Sequence, residues 1–315
     1  MGTVAVTGAS GFVGQNFLSY VEKGSSYKVI TLTRRPDLSF SAQGFPSLDV
    51  ALSKCVAVVH LAGKAHNNGD GSYQEYYNAN TKLAMNLAKA AIKAKVRKFV
   101  YISSVKACRY NFAMQQPSED DLDYEFESSY GRSKAAAEQE LREICSGTET
   151  ALVILRPCLV YGPGVKANFA SLLKLIRIPV PLPFGAIKDE RSYLYVGNLC
   201  DGILRAIESD GLDDSGYFIS DSDDVSIARL TKVIRNRLGK PVWLIPVPKS
   251  LLRIGARILG FSAQMEKFLG SETYSSKKFQ IHAKWHPPFS LELALQETIA
   301  QPLKPESALR NVALR

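Results

Sequence analysis

The sequence predicts an α/β protein built on a doubly wound, parallel sheet, with a smaller and mostly helical carboxy-terminal lobe. The first half alternates short β-branched runs with amphipathic runs of helical period, which is typical of parallel βαβ units. The predicted strands are apolar along nearly their whole length, as in a sheet that is covered on both faces. A glycine-rich turn joins the first strand to the first helix.

The predicted elements follow one another in a regular order through residue 157. Strands are expected at residues 3–8, 27–33, 55–62, 97–104 and 150–157, and helices at residues 12–23, 76–94 and about 130–145. Gly and Pro then become dense in YGPGVKANF and IPVPLPFG, where the chain leaves the sheet. The run RSYLYVGNLCDGILRAI predicts a return to the sheet. We therefore assign residues 1–162, rejoined by about 192–220, to the sheet domain, and residues 163–191 and 221–315 to the smaller lobe.

Composition narrows the class of protein. The 315 residues are 46% hydrophobic and 22% charged, as in an ordinary soluble globular protein. No apolar run approaches the roughly 20 residues that cross a bilayer, so stable membrane insertion is not expected. The chain opens directly on an apolar strand without a basic leader, and its five scattered cysteines include no CxxC pair. These features predict a cytoplasmic protein with reduced thiols.

The formal charge of +9 permits several kinds of anionic partner. The basic residues are dispersed, and no nucleic-acid-binding motif accompanies them, so nucleic acid is not predicted as a partner. The charge fits a site that holds several phosphates.

The turn after the first strand has the features of a phosphate-binding loop. Its sequence VTGASGFVG places Gly8, Gly11 and Gly14 between a strand and a helix. Glycines allow a tight turn and a close approach of the backbone to a pyrophosphate, whose charge lies at the helix amino terminus. We therefore predict a Rossmann-type dinucleotide site that includes Phe12 and Val13 of the first helical turn.

The end of the second strand bears on which dinucleotide binds. NAD-preferring sites usually place an acidic residue there for the adenosine ribose. This strand instead ends in Arg34 and Arg35, with no acid before Asp37. Guanidinium groups match a 2′-phosphate, so NADP(H) is predicted, with NAD(H) possible and a plain solvated basic turn as the alternative. Leu48 and Asp49 are candidate contacts of the adenine.

Three residue types that support proton transfer follow in order. The fourth predicted strand ends in Ser103 and Ser104, and Tyr130 and Lys134 lie one helical turn apart on the next helix. Parallel strands end at the ligand crevice, so the serines should face the cofactor. A phenol is a weak acid at neutral pH, and a nearby ammonium and an oxidised nicotinamide are expected to lower its pKa.

Taken together, these motifs resemble the extended short-chain dehydrogenase/reductase family that acts on nucleotide sugars. The resemblance covers nearly the whole chain through TGASGFVG, VVHLAG, NANT, SSYGRSK, LRPCLVYGPG and RSYLYVGNL. It implies that Ser104, Tyr130 and Lys134 are catalytic, with Lys134 also holding the ribose. It further implies cofactor contacts at Leu61, Ala62, Gly63, Asn80, Ser103 and Pro157, and substrate contacts at Val105, Lys106, Asn168 and Arg191. The acid that usually follows the arginine is replaced by Ser192.

More narrowly, SSVKA, GPGVKANF, PLPFGAIKDERSYLYVGNL and KWHPP resemble bacterial 4-reductases of polysaccharide biosynthesis. These enzymes reduce a UDP-2-acetamido-2,6-dideoxy-hexos-4-ulose. Two alternatives stay open: a UDP-sugar 4-epimerase with tightly bound NAD, and a non-catalytic dinucleotide-binding regulator. The family also implies a homodimer formed through the helices at residues 76–94 and 130–145.

Other conspicuous residues have simpler interpretations. His282 and His286 have the spacing of a metal pair, but prolines follow and no carboxylate completes a site, so no metal is predicted. His60 is expected to pack within its strand. Lys106 and Lys166 are equally consistent with phosphate contacts and with surface lysines.

Overall fold

A computed structural model describes residues 2–65, 71–108, 110–111, 116–117, 128–258, 260 and 269–300. In chain order the strands are β1 (Thr3–Thr7), β2 (Lys28–Arg34), β3 (Phe40–Ala42), β4 (Ala57–His60), β5 (Lys98–Ile102), β6 (Tyr110–Asn111), β7 (Gln116–Pro117), β8 (Ala151–Pro157), β9 (Leu159–Tyr161), β10 (Glu190–Arg191), β11 (Tyr193–Tyr195), β12 (Tyr217–Ile219) and β13 (Val225–Ser226).

The helices alternate with these strands. They are α1 (Phe12–Gly24), α2 (Leu48–Leu52), α3 (Tyr73–Tyr76), α4 (Leu83–Lys93), α5 (Ser129–Cys145), α6 (Ala167–Arg177), α7 (Val196–Glu208), α8 (Ile227–Arg237), α9 (Lys249–Ile258), α10 (Lys277–Ala283) and α11 (Leu291–Ala300). A π-helical turn at Tyr77–Lys82 joins α3 to α4, and a 3₁₀ turn at Val105–Ala107 follows β5.

The central sheet has seven strands in the order β12-β8-β5-β4-β1-β2-β3. All its pairings are parallel except the one between β2 and β3. The chain winds outward from β1 in both directions, so that Thr7 is paired with Leu32 of β2 on one side and His60 of β4 on the other. This reversal creates the crevice at the carboxyl ends of the strands where a doubly wound sheet binds its ligand. The predicted fold class is confirmed.

Apolar side chains cover both faces of the sheet. Phe17 of α1 and Ile203 of α7 belong to the core on one face, and Leu87 of α4 and Leu141 of α5 belong to the core on the other. Every residue of β4 and of β5 is buried, because these strands lie in the middle of the sheet. Their continuous apolar sequences reflect that double coverage.

Two local features differ from the prediction. The segment between the second and third predicted strands contains an additional short strand, β3, which returns antiparallel along β2. The helix predicted at residues 76–94 begins earlier, at Tyr73, and widens into the π-helical turn before α4. The spacing of apolar residues does not distinguish this π-helical turn from an α-helix, since one wider turn hardly shifts that spacing.

Two small sheets of the later segments lie outside the central sheet: β10 pairs with β13, and β9 pairs with β11. The strand of the run RSYLYVGNLCDGILRAI, β11, was predicted to return to the central sheet, and this is wrong because β11 pairs with β9 instead. β12 returns to the sheet beside β8, inside the region predicted to rejoin it. All five cysteines are buried as thiols. Within the described ranges, no helix has the length and apolar character that a membrane span requires.

Candidate active site

The glycine turn is shaped by close backbone contacts at the switch point of the sheet. Gly8 has a φ of +69°, and a Cβ there would lie 2.7 Å from the backbone nitrogen of Ala62. A Cβ on Gly14 would lie 2.1 Å from the carbonyl oxygen of Gly8. Gly11 caps α1 without a side-chain hydrogen bond, so no side chain of the described residues competes with a ligand for the first amides of the helix. This cradle fits a dinucleotide pyrophosphate.

Arg34 and Arg35 lie at the crevice edge next to the cradle. Both are exposed in the tight turn between β2 and β3, where the Arg35 amide donates to the Ser39 carbonyl. The nearby Asp37 carboxylate instead accepts hydrogen bonds from the Ser39 hydroxyl at 2.7 Å and from its amide at 3.1 Å. The hydroxyl contact is the main reason that the pKa of Asp37 falls below its usual value. The Asp37 carboxylate thus stabilises the turn in which it lies.

Leu48 and Asp49 begin α2, beside the last residue of α4. The Asp49 carboxylate pairs with Lys93 at 2.5 Å, and both side chains are exposed. The partly buried side chain of Leu48 packs against the core. The adenine contacts predicted for these two residues stay predictions.

The three predicted catalytic residues meet at the end of β5. Ser104 ends the strand segment and caps the following 3₁₀ turn, its Oγ accepting from the Lys106 amide at 3.2 Å. Tyr130 lies in the first turn of α5 and is hydrogen-bonded to the Ser104 hydroxyl. One turn further, Lys134 is buried, and its Nζ donates to the Ile102 carbonyl at 2.8 Å. Serine, phenol and ammonium therefore face the carboxyl edge of the sheet together.

The lowering of the Tyr130 pKa that an oxidised nicotinamide is expected to cause stays a prediction, and burial sets this pKa in the protein itself. Burial raises the pKa of Tyr130, and the hydrogen bond from Ser104 offsets that rise only in part. Lys134 is turned to the backbone of β5 and to the ring of Tyr101, whose centroid lies 4.7 Å from its Nζ. Desolvation lowers the pKa of Lys134 to about 8, against the opposing charge of Glu138. Tyr130 is therefore protonated at neutral pH.

Asn80 positions the start of α5 from within the π-helical turn. Its buried amide donates to the Ser133 hydroxyl at 2.9 Å and to the Lys64 carbonyl, while its Oδ1 accepts from the Lys64 amide at 2.7 Å. The neighbouring Gly63 leaves this space open, since a Cβ there would lie 2.7 Å from Asn80 Oδ1. π-Helical turns are frequent at functional sites. Asn80 thus acts on the catalytic helix through Ser133.

A buried ionic network beneath the catalytic residues was not predicted. Glu138 is fully buried and accepts from Arg156 of β8 at 2.6 Å and from the Ser103 hydroxyl at 2.5 Å. The Ser103 hydroxyl is therefore directed into the interior, and the predicted contact of Ser103 with the cofactor stays a prediction. Two signals were present in the sequence: an arginine within the apolar strand ALVILRP, and a glutamate one turn after Lys134. Charged residues are almost never fully buried without a partner.

His60 packs inside the sheet, as expected. Its Nδ1 is hydrogen-bonded to the Thr7 hydroxyl at 2.8 Å, and its ring stacks on Tyr101 at 5.9 Å. Desolvation, with a smaller contribution from the charge of Lys134, lowers the pKa of His60 to about 3. The imidazole is neutral at physiological pH and supports the strand ends that carry the site.

The predicted substrate side gathers around a glutamate that was not anticipated. The carboxylate of Glu272 pairs with Lys106 at 3.1 Å and with Arg191, and it accepts from the Tyr274 hydroxyl at 2.6 Å. Ser192 contributes a buried hydroxyl that accepts from the Tyr274 amide, so the substitution of the usual acid retains a defined role. No spacing in the sequence connected residue 272 with residues 106 and 191.

Val105, Asn168 and Pro157 were also predicted to contact substrate or cofactor. The Val105 side chain is buried in the apolar core. Asn168 lies in the first turn of α6, and its side chain falls outside the described part of the structure, so its diphosphate contact stays a prediction. Pro157 ends β8 beside Ile219 of β12, at the crevice edge.

No metal site is evident in the described ranges. His282 belongs to α10, which ends at Ala283 before Lys284 adopts a left-handed conformation, so His286 does not continue the same helical face. No group of three or more candidate metal ligands occurs among the residues that the structure describes.

Comparison with known proteins agrees with this geometry. A family model described as the NAD dependent epimerase/dehydratase family matches residues 4–218. UDP-glucose 4-epimerase of Vibrio cholerae is 32% identical over 308 residues, which are 94% of each chain. UDP-N-acetylglucosamine 4-epimerase from Bacillus cereus superposes with a TM-score of 0.74 at 20% identity, covering 95% of this chain and 98% of that one. RMD from Pseudomonas aeruginosa, complexed with NADPH, gives 0.72 at 19% identity and the same coverage.

A dinucleotide cradle beside a serine, a tyrosine and a lysine defines an NAD(P)-dependent enzyme of the extended short-chain dehydrogenase/reductase class. The chain belongs to the NAD dependent epimerase/dehydratase family. The predicted resemblance is thereby confirmed.

Proposed function

We propose that this protein is an NADPH-dependent 4-ketoreductase. It reduces the C4 ketone of a UDP-2-acetamido-2,6-dideoxy-hexos-4-ulose to a UDP-N-acetyl-6-deoxyhexosamine, either UDP-QuiNAc or UDP-FucNAc, for the O-antigen of lipopolysaccharide. The sequence motifs shared with bacterial 4-reductases support the substrate, and the arginine turn after β2 supports NADPH as the source of the hydride.

Tyr130 supplies the proton in the proposed reduction. Burial raises its pKa, so the phenol is in the acid form at neutral pH before a cofactor binds. An epimerase would need the same phenol to start as a base, and the positive charge of an oxidised nicotinamide would favour that form. The protonation of Tyr130 therefore fits both candidates, and the arginine turn is the observation that favours reduction with NADPH.

The chain's own residues can supply the proton and the hydrogen bonds that the reduction needs. A dinucleotide held by the glycine turn would supply the hydride to C4 of the sugar. Ser104 donates a hydrogen bond to the ketone oxygen, and Tyr130 transfers its proton to that oxygen as the C4 hydroxyl forms. Lys134, mostly an ammonium with a pKa of about 8, then stabilises the tyrosinate until a proton returns from solvent.

The arginine turn supports NADPH over NADH. Arg34 and Arg35 are exposed at the end of β2, and the nearest acid, Asp37, is occupied by Ser39. Two guanidinium groups favour a 2′-phosphate, and an engaged carboxylate is poorly placed to bind a ribose diol. The NADPH complex of the Pseudomonas neighbour shows that a protein of this fold binds that cofactor.

The second candidate is a 4-epimerase of a UDP-hexose or UDP-N-acetylhexosamine with tightly bound NAD. The similarity to the Vibrio cholerae UDP-glucose 4-epimerase favours it. The same three residues would serve, with the hydride removed and then returned to the opposite face of the sugar.

The cofactor content and the activity of the purified protein distinguish the 4-ketoreductase from the 4-epimerase. We expect protein that carries no tightly bound NAD and that oxidises NADPH in proportion to the UDP-4-keto-6-deoxy-N-acetylhexosamine supplied. Release of stoichiometric NAD on denaturation, together with conversion of UDP-N-acetylglucosamine to its C4 epimer without added cofactor, would instead establish the epimerase.

We also propose that the enzyme acts in the cytoplasm as a homodimer through α4 and α5. In solution, light scattering during size-exclusion chromatography should give twice the 34.6 kDa chain mass. A monomer mass at assay concentration would contradict the dimer without affecting the proposed chemistry.

A further inference from the structure

Glu272 links the two sides of the crevice through its carboxylate. One oxygen accepts from Lys106 Nζ at 3.1 Å and from the Tyr274 hydroxyl at 2.6 Å, and the other pairs with Arg191. The Glu272 side chain is 17% exposed, whereas that of Lys106 is 53% exposed. One anion therefore joins two cations that come from different parts of the chain.

The backbone fixes Glu272 in this position. Its amide donates to the Glu190 carbonyl at 3.1 Å, and its own carbonyl accepts from the Ser192 amide at 3.0 Å. These bonds align residue 272 with Arg191 in a bridge between strand-like segments. The ion pair with Arg191 is thus built into a backbone pairing and does not depend on the chance meeting of two flexible side chains.

Lys106 brings the cluster next to the catalytic residues. Its amide donates to Ser104 Oγ at 3.2 Å. Its carbonyl faces Gly131, where a Cβ would approach to 2.3 Å, so the backbone of Lys106 lies against the turn that carries Tyr130. Lys106 therefore places the cluster around Glu272 next to Ser104 and Tyr130.

The charge of the cluster sets what a substrate encounters. Burial alone would raise the pKa of Glu272, but Lys106 and Arg191 together lower it below its usual value, so the carboxylate is ionised at neutral pH. Two cations and one anion leave a net charge of +1 for a diphosphate that carries about two negative charges.

We propose that Glu272 sets the affinity for the nucleoside diphosphate, by holding Lys106 and Arg191 in the place that the diphosphate takes when the substrate binds. This inference rests on the proposed function, because it requires a nucleoside diphosphate as ligand. When the diphosphate binds, its ion pairs with Lys106 and Arg191 replace those of Glu272. Displacing the carboxylate therefore offsets part of the attraction between the diphosphate and the two cations. The exchange keeps the product from binding too tightly and keeps the cations ordered between turnovers.

Calorimetric titration of UDP into the purified protein tests the role of Glu272. Glu272→Gln keeps the shape and removes the charge, so UDP should bind about three- to tenfold more tightly than to the unsubstituted protein. Its affinity should also fall more steeply with added salt, because two uncompensated cations now meet the diphosphate. Lys106→Met should reduce this gain when combined with Glu272→Gln, since it removes one of the released cations.

Glu190→Gln is the matched control. Glu190 lies on β10, is exposed, and its carbonyl bonds the Glu272 amide, so this substitution removes the same charge from the same strand pair without touching Lys106 or Arg191. It should change UDP affinity by less than about twofold.

The outcomes separate this inference from the proposed function. UDP that binds the unsubstituted protein but binds Glu272→Gln no more tightly than Glu190→Gln, or more weakly, overturns the role of Glu272 alone. Absence of UDP binding to the unsubstituted protein at millimolar concentration contradicts the proposed substrate class, and the role of Glu272 with it.

Discussion

The two sides of the crevice hold their charged groups in different ways. On the catalytic side, Glu138 and Arg156 are completely buried and bonded to each other through both carboxylate oxygens. On the substrate side, Glu272 meets Lys106 and Arg191 at the surface of the crevice, where all three side chains are partly exposed.

This difference corresponds to two tasks. A buried pair is expensive to break, because either partner left alone is an uncompensated charge in a low-dielectric interior. It suits groups whose positions must not change, such as the helix that carries Tyr130 and Lys134. A partly exposed pair is weak and exchangeable, which suits groups that must accept a ligand. We infer that the catalytic side is fixed and that the substrate side reorganises.

Loss of the phenol on the fixed side should have the largest effect. Tyr130→Phe removes the proton donor while keeping the ring, so kcat should fall by about 10²- to 10⁴-fold with a small change in KM. Steady-state kinetics with the UDP-4-keto sugar measures the effect. Tyr77→Phe is the control, since this partly exposed tyrosine of the π-helical turn packs on Tyr73 and lies outside the proton path. Comparable activity of the two variants would contradict the role of Tyr130.

Neutralising Glu138 should lower the free energy of unfolding far more than neutralising an exposed glutamate of the same helix. Glu138→Gln leaves Arg156 buried without a counter-ion, which should lower the free energy of unfolding by about 3–5 kcal/mol. Glu143 is exposed on α5, where its carboxylate accepts from Gln139, and Glu143→Gln should change the free energy of unfolding by less than about 0.5 kcal/mol. Denaturant titration gives both values. Equal stabilities would mean that the network does not hold the helix.

Acid should weaken the fixed side through His60. The imidazole titrates near 6.5 in an unfolded chain, but burial lowers its pKa to about 3 in the fold, so the unfolded state binds the proton between these values. Stability is therefore lost as the pH falls below 6.5. Between pH 6.5 and 5 this loss amounts to about 2 kcal/mol, and His60→Phe should remove most of it.

The titration of Asp221 changes stability with pH in the opposite direction. The effect of His60 is therefore measured as the difference between the unsubstituted protein and His60→Phe. Burial raises the pKa of Asp221 from 3.8 to about 6, so its contribution to stability is present at low pH and is lost as the pH rises through 6. Both proteins retain this contribution, and it cancels in their difference. Parallel curves of unfolding free energy against pH would show that His60 does not titrate with folding.

The arginine turn is the exposed counterpart on the cofactor side, and its expected effect is the smallest. The Arg34→Ser, Arg35→Ser double variant should bind NADPH about tenfold more weakly, while NADH binding changes less than about twofold. Cofactor fluorescence titration measures both constants, with NADH serving as the internal control. An equal loss for both cofactors would show that the arginines do not recognise the 2′-phosphate.

Most of the fold was accessible from the sequence because it depends on local periodicity. The apolar strands and the order of βαβ units predicted the parallel sheet. The rule that strand ends face the ligand predicted that Ser104 lies near Tyr130. The same reasoning could not detect β3, whose three residues are too few for a period, or the π-helical turn around Asn80.

The direction of side chains and the contacts between distant segments could not be predicted from the sequence. Ser103 and Ser104 are adjacent at the same strand end, but alternation points one hydroxyl to Glu138 and the other to Tyr130. The raised pKa of Tyr130 depends on burial, which spacing does not reveal. Glu272 lies 166 residues from Lys106, and only the folded chain brings them together.

Transfer of isotope from cofactor to sugar tests the central claim most directly. NADPH that carries deuterium at C4 of the nicotinamide ring is incubated with the UDP-4-keto-6-deoxy-N-acetylhexosamine. The product should carry deuterium at C4 of the sugar. One NADPH should be oxidised for each product molecule, and Tyr130→Phe should slow the transfer by the same factor by which it lowers kcat. Product that lacks deuterium at C4, or a sugar inverted at C4 with no net oxidation of NADPH, would contradict the assignment as a 4-ketoreductase.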